Sequence, residues 1–183
     1  MPIAVTLRLD PVNAASIVAM RRSLSADCIA IGLEYPAHIT LAIYPDEVSG
    51  DRLLVAFAKL TAAWQVLEIS LCGFGVFPGP PAILYLAPVA SRDLLTRQAM
   101  LCDALPGLPV HPHYRPGAWV PHITLSDHVP HPELALKSLL AGWRPMTASL
   151  DRSDLVRFHP LEVMTSNALP AADRAEEWAI RSG

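Results

Sequence analysis

Cysteine is scarce in this chain: Cys28, Cys72 and Cys102 are the three in 183 residues, and no two share a CxxC spacing. That argues against a disulfide framework and leaves reduced, mostly buried thiols of a cytosolic protein as the expectation. No stretch approaches the roughly 18 apolar residues that span a bilayer. The opening MPIAVTLRLD has no basic region, long apolar core and small-residue cleavage site in the order of a signal peptide. A soluble cytoplasmic protein without a membrane partner is therefore expected. A strong basic field is missing too, since the net charge is −3. A protein that grips long duplex nucleic acid usually carries such a field, so any nucleotide ligand should be small or a short RNA end. There is no GxSxG for a serine hydrolase and no GxxxxGK[ST] or GxGxxG for a nucleotide cradle, and GFGVFPG lies in an extended segment rather than at a helix start.

What is present is a globular composition, 52% hydrophobic and 17% charged, enough for one sizeable domain or two small fused lobes. Ile3 to Leu9 reads as a strand. Asp10-Pro11 caps a helix predicted to run to about Ala26. A strand to Tyr44 follows, then a helix from Ser49 to about Ala63, then the extended WQVLEISLCGFGVF. The second half repeats the order: strand Ala82 to Pro88, helix from Ser91 to about Leu105, strand, helix HPELALKSLLAGW, extended MTASLDRSDLVRF. LEVMTSNAL adds one more strand before an acidic tail. Prolines punctuate the connections, and the longest of these, Pro106 to Pro121, has the length of a binding or lid segment.

The middle strand of each half opens with the same four residues. His38-Ile39-Thr40-Leu41 returns as His122-Ile123-Thr124-Leu125, 84 positions later, and Phe74 and Phe158 each follow their histidine by 36. Matching motifs in a matching order of elements point to a duplicated α+β fold. Its two lobes, about 1–80 and 81–170 with a tail at 171–183, would be related by a pseudo-two-fold axis, with antiparallel sheets flanking a central cleft and helices outside.

On a strand, residues two apart share a face. His38 points with Thr40 and His122 with Thr124, while Ile39, Leu41, Ile43, Ile123 and Leu125 face a core. One such pair on its own is ordinary strand composition. Two pairs brought to one cleft by a two-fold axis suit proton transfer at neutral pH, because imidazole titrates near pH 6.5 and one ring can be neutral while the other is charged. Each transfer contributes roughly 10²–10⁴-fold. The threonine hydroxyls can hydrogen-bond the oxygens of a phosphate as charge builds there. Neither a metal nor a cofactor is required.

These residues resemble the two-histidine (2H) phosphoesterase superfamily, which includes 2'-5' RNA ligase-like proteins and cyclic nucleotide phosphodiesterases. Its hallmark is a pair of His-x-Thr/Ser-x motifs on a duplicated α+β scaffold. The resemblance runs from the first strand to about Ala168, and GFGVFPGPPAILYLAP is similar to the family's bridge between lobes. It implies His38 and His122 as the acid–base pair, Thr40 and Thr124 as phosphate ligands, and metal-independent hydrolysis of a 2',3'-cyclic phosphate or 2'-5' phosphodiester. A cyclic substrate would leave a 2'-phosphate. His122 as base and His38 as acid is the assignment adopted, the converse being almost as good by symmetry. Tyr85 and Trp119 are candidates for stacking on a bound ring, and Arg115 and Arg8 for charge near a phosphate.

Two rivals remain. His111, His113, His128 and His131, with His122, could hold zinc, copper or nickel, but they sit in proline-broken segments without a ligand spacing such as HExxH, so loop polarity or substrate contact is the simpler reading. A binding module for a nucleotide or phosphorylated metabolite is the alternative from another class, though binding alone does not need two titrating groups. Nothing marks an oligomerisation surface, and a monomer is expected.

Overall fold

The computed structural model describes residues 1–24, 28–30, 35–158 and 160–172, with the backbone alone at 29–30. Its strands are β1 (Ile3–Leu9), β2 (Ile29–Ala30), β3 (His38–Tyr44), β4 (Leu67–Phe77), β5 (Ala82–Pro88), β6 (Ile123–Val129), β7 (Met146–Arg157) and β8 (Glu162–Ala168). The helices are α1 (Pro11–Ser23), α2 (Gly50–Thr61), α3 (Arg92–Ala104) and α4 (Pro132–Leu140). Asp10 caps α1 by accepting from the amides of Val12 and Asn13, each at 3.1 Å, with Pro11 in the first turn where its missing N–H costs nothing. Ser91 caps α3 through Leu94 N. Helix α1 ends at Ser23, before the expected Ala26, which lies outside the described residues, as does most of the acidic tail. No helix among the described residues is long and apolar enough to cross a membrane.

All eight strands form one antiparallel sheet in the order β2-β6-β5-β4-β7-β1-β3, with β8 on β7. The duplication is visible in that order: β6-β5-β4 and β3-β1-β7 are two like triplets, joined back to back where Leu67–Leu71 of β4 pairs with Met146–Leu150 of β7. The halves of the chain are interleaved in it. The last long strand of each half leaves its own triplet, so β4 pairs with β5 and β7 with β1. The pairings give the register. Phe74 lies opposite Leu86, which lies opposite Ile123, and the matching row in the other triplet is Ser153, Leu7 and Ile39. The structural counterpart of Phe74 is therefore Ser153, and the expected match to Phe158 does not hold.

The helices cover one face of the sheet. Leu7, Ile39, Leu41, Leu84, Leu86, Ile123 and Leu150 are buried there with Ile17, Leu53, Phe57, Leu94 and Leu101 of α1 to α3. Phe74 meets Trp143, just beyond α4, edge to face at 4.8 Å. The opposite face carries the motif histidines and threonines. Both motif strands hold a bulge at the same place. Thr40 pairs with Thr6 and Ala42 with Val5, leaving Leu41 unmatched; Thr124 pairs with Tyr85 and Ser126 with Leu84, leaving Leu125 unmatched. A bulge shifts the side-chain phase by one residue. Ala42 and Tyr44 are buried in consequence, and Ile43, expected in the core, is only half-buried. The three cysteines are free; Cys28 and Cys102 are half-buried and Cys72, contrary to expectation, is exposed.

Candidate active site

Each motif histidine is held by the same bond. His38 Nδ1 lies 2.8 Å from the carbonyl oxygen of Pro36, and His122 Nδ1 lies 2.7 Å from that of Val120. The partner is two residues upstream in both, so the geometry is repeated by the duplication. A carbonyl oxygen can only accept, so Nδ1 carries the hydrogen in both rings, and Nε2 is left as the site that takes up or releases a proton.

The two rings differ in what surrounds them. His38 packs against Tyr35, with ring centroids 4.8 Å apart. His122 is met edge-on by Phe77 at 5.0 Å and by Tyr85 at 5.6 Å. Burial pushes the His38 pKa down to about 4; the bond to Pro36 opposes this, while the charges of Arg21 and His122 add to it and Asp154 works against it. Burial also lowers His122, opposed by the bond to Val120.

The backbone of each motif threonine is pinned from a distant part of the chain. The Trp119 indole N–H donates to Thr40 O at 3.1 Å, and Arg21 donates to Thr124 O through Nε at 3.2 Å and Nη2 at 2.7 Å. The arrangement is reciprocal: Trp119, three residues before the second histidine, holds the first motif, while Arg21, at the end of the helix ahead of the first motif, holds the second. The long proline-rich loop therefore lies along the free edge of β3, where His111 N also bonds Ile43 O at 2.9 Å, and it covers strand edge that would otherwise be unpaired.

Beside His38 lies a buried carboxylate. Asp154 is fully buried and accepts from the Tyr35 hydroxyl at 2.7 Å, from Ser166 Oγ at 2.5 Å and from Arg8 Nη1 at 3.4 Å; the Tyr35 and Thr6 hydroxyls are 2.7 Å apart. Register explains the grouping, because Thr40, Thr6, Asp154 and Ser166 form one row across β3, β1, β7 and β8. On the other triplet, Tyr85 stacks on Phe77 at 4.4 Å and lies flat over Gly75, where any β-carbon would overlap its ring.

His38, Thr40, His122 and Thr124 thus share the helix-free face, with Tyr85 and Arg8 beside them. Trp119 is 8% exposed, with its indole N–H spent on Thr40 O, so it shapes the motif backbone and offers no open face for stacking. Arg115 is exposed on the loop. His111 stacks on His113 at 5.2 Å, and His131 faces Glu133 at 3.7 Å; among the described residues no three His, Cys, Asp or Glu side chains gather as a metal site would require. Sequence reasoning missed Arg21, Tyr35 and Asp154. The only signal for Tyr35 was its place three residues before the first histidine, as Trp119 stands before the second.

A duplicated α+β sheet with a hydrogen-bonded His-x-Thr strand in each half defines the 2H phosphoesterase class. The family model described as the 2'-5' RNA ligase superfamily matches residues 9–160, and the chain belongs to that family. No curated protein sequence matches it. Among solved structures it is similar to TT0787 of Thermus thermophilus, at 18% identity and a TM-score of 0.69 over 94% of this chain and all of that one. It is also similar to E. coli LigT complexed with NADP+, at 17% identity and a TM-score of 0.61 over 92% of this chain and 99% of that one. The same protein complexed with 3'-AMP gives 17% and 0.57 over 91% and 96%.

Proposed function

We propose that the cleft hydrolyses a phosphate diester of a nucleotide or short RNA end, a 2',3'-cyclic phosphate or a 2'-5' linkage, using the two imidazoles as base and acid. The observation that carries this reading is the repeated Nδ1–H···O=C bond, which leaves Nε2 as the proton-exchanging atom of both rings on matching strands. The bound 3'-AMP, ATP and NADP+ of the LigT structures are in keeping with a small nucleotide ligand.

For a 2',3'-cyclic phosphate the steps balance as follows. Neutral His38 Nε2 takes a proton from water as the water oxygen bonds phosphorus. The phosphorus–O3' bond breaks, and O3' receives the Nε2 proton of charged His122, leaving a 2'-phosphate. His38 is the base because its surroundings hold it neutral the more firmly, by burial and by the nearby Arg21 charge. This reverses the assignment adopted from the resemblance. The Thr40 and Thr124 hydroxyls would donate to the non-bridging oxygens, where such donors are worth about 10²–10³ in rate. Neither step asks for a metal.

The test is turnover of the four nucleoside 2',3'-cyclic phosphates in EDTA, with the product isomer identified. Formation of the 2'-phosphate is expected. A folded protein that turns over none of these, nor a 2'-5'-linked dinucleotide, would overturn the reading.

A further inference from the structure

The two triplets are alike in backbone, but their cleft faces are opposite in chemistry. The position opposite the first motif threonine is Thr6, and the one opposite the second is Tyr85. One strand further out lie Asp154 on one side and Gly75 on the other. Opposite the first histidine is Arg8; on the other side the register one step past Leu86–Ile123 brings Ala87 to His122. Beyond Arg8 is Arg152, and beyond Ala87 is Gly73. At every matching position one wall is polar or charged and the other is small or aromatic.

The charged wall is built for an anion. His38, Arg8 and Arg152 stand in one row on three neighbouring strands about 4.8 Å apart, so the guanidiniums lead away from the histidine in a line. Among the described residues the carboxylate that lies with them is Asp154, fully buried, with its oxygens engaged by Tyr35, Ser166 and Arg8. Among the described residues Arg8 Nε is buried with no partner, and Arg152 reaches only Ser166 Oγ, at 3.3 Å. Among the described residues the wall keeps a net positive charge, two arginines against one carboxylate. The matching positions of the other triplet, Tyr85, Gly75, Ala87 and Gly73, carry no charge, and Phe77 stacked on Tyr85 offers a flat aromatic surface beside His122.

We propose that the cleft binds its substrate in one direction, with the nucleobase on the Tyr85–Phe77 wall and a second phosphate, the 5'-phosphate of the same nucleotide, on Arg8 and Arg152. This rests on the functional reading above and narrows it. The substrate is a 5'-phosphorylated nucleoside 2',3'-cyclic phosphate, or an RNA 3' end whose last internal phosphodiester supplies the same charge. A cyclic nucleotide with a free 5'-hydroxyl leaves the arginine row unfilled.

The experiment compares kcat/KM for adenosine 2',3'-cyclic phosphate with and without a 5'-phosphate, at low and moderate salt. One charge-assisted arginine–phosphate contact predicts a preference of about tenfold or more for the 5'-phosphorylated form, carried mainly by KM and shrinking with salt. Arg152→Gln should bring the ratio towards one, and Arg152→Lys, which keeps the charge and guards against a folding artefact, should restore much of it. Turnover of both substrates by wild type at equal kcat/KM would overturn this proposal and leave the functional reading intact, as would an unchanged ratio in folded Arg152→Gln. Turnover of neither would overturn both.

Discussion

Trp119→Phe separates the loop's structural role from simple bulk. Trp119 and Trp64 are both deeply buried, 8% and 4% exposed, and both lose about the same volume on truncation to Phe. They differ in the indole N–H. That of Trp119 donates to Thr40 O at 3.1 Å, whereas that of Trp64 has no partner among the described residues. Trp119→Phe therefore strands an acceptor inside the structure, at about 1–3 kcal/mol, while Trp64→Phe removes a donor that was already unpaired. The gap between the two variants should be ~2 kcal/mol in urea unfolding, with m unchanged. For a chain of this size that is roughly 4–8 °C in Tm. Because the lost bond belongs to the Thr40 backbone, Trp119→Phe should also lower kcat, and Trp64→Phe should not. Equal stability losses in the two variants would refute the pinning argument.

Three further outcomes follow from the same geometry. A base works only above its pKa and an acid only below it; with His38 lowered to about 4 and His122 also lowered, kcat/KM should be level in mildly acid solution and fall as pH rises past the His122 value, below 6.5. A bound phosphate anion favours the charged ring, so the falling limb of kcat should lie at higher pH; a kcat/KM that climbs steadily to pH 9 would contradict the pair. Asp154→Ala removes the acceptor of Tyr35 and Ser166 and leaves Arg8 facing an empty site, and thermal or urea unfolding should show a loss of about 3–5 kcal/mol. Gly75→Ala places a methyl where the Tyr85 ring lies, so it should raise KM for nucleotides without a comparable loss of fold, read by circular dichroism beside initial rates.

The repeated His-Ile-Thr-Leu was readable because strand alternation is a local property: His38 with Thr40 and Ile39 with Leu41 fall on the faces that a period of two assigns. Ile43 was misplaced because the bulge at Leu41 is set by how β3 pairs with β1, which nothing in 38–44 announces. The element order was likewise local, but the exchange of β4 and β7 between triplets is a property of the assembled sheet. The spacing of Phe74 and Phe158 gave a false register because the chain between motif and last strand is five residues shorter in the second half, which puts Ser153 in the place of Phe74. Trp119 looked like a stacking residue and is a buried hydrogen-bond donor. Arg21 sits on a helix end where arginines are usually solvated, yet it is 3% exposed and holds Thr124. Both acquire their roles only when the two motif strands come together.

The central claim is that His38 and His122 act as one unit. The most direct test is single-turnover cleavage of a 2',3'-cyclic phosphate in EDTA by wild type, His38→Ala, His122→Ala and the double variant. If the rings serve as base and acid of one displacement, each single variant should lose about 10²–10⁴-fold, and the double variant should fall well short of the product of the two losses. A single variant that retains wild-type rate, or strictly multiplicative losses, would contradict a shared site.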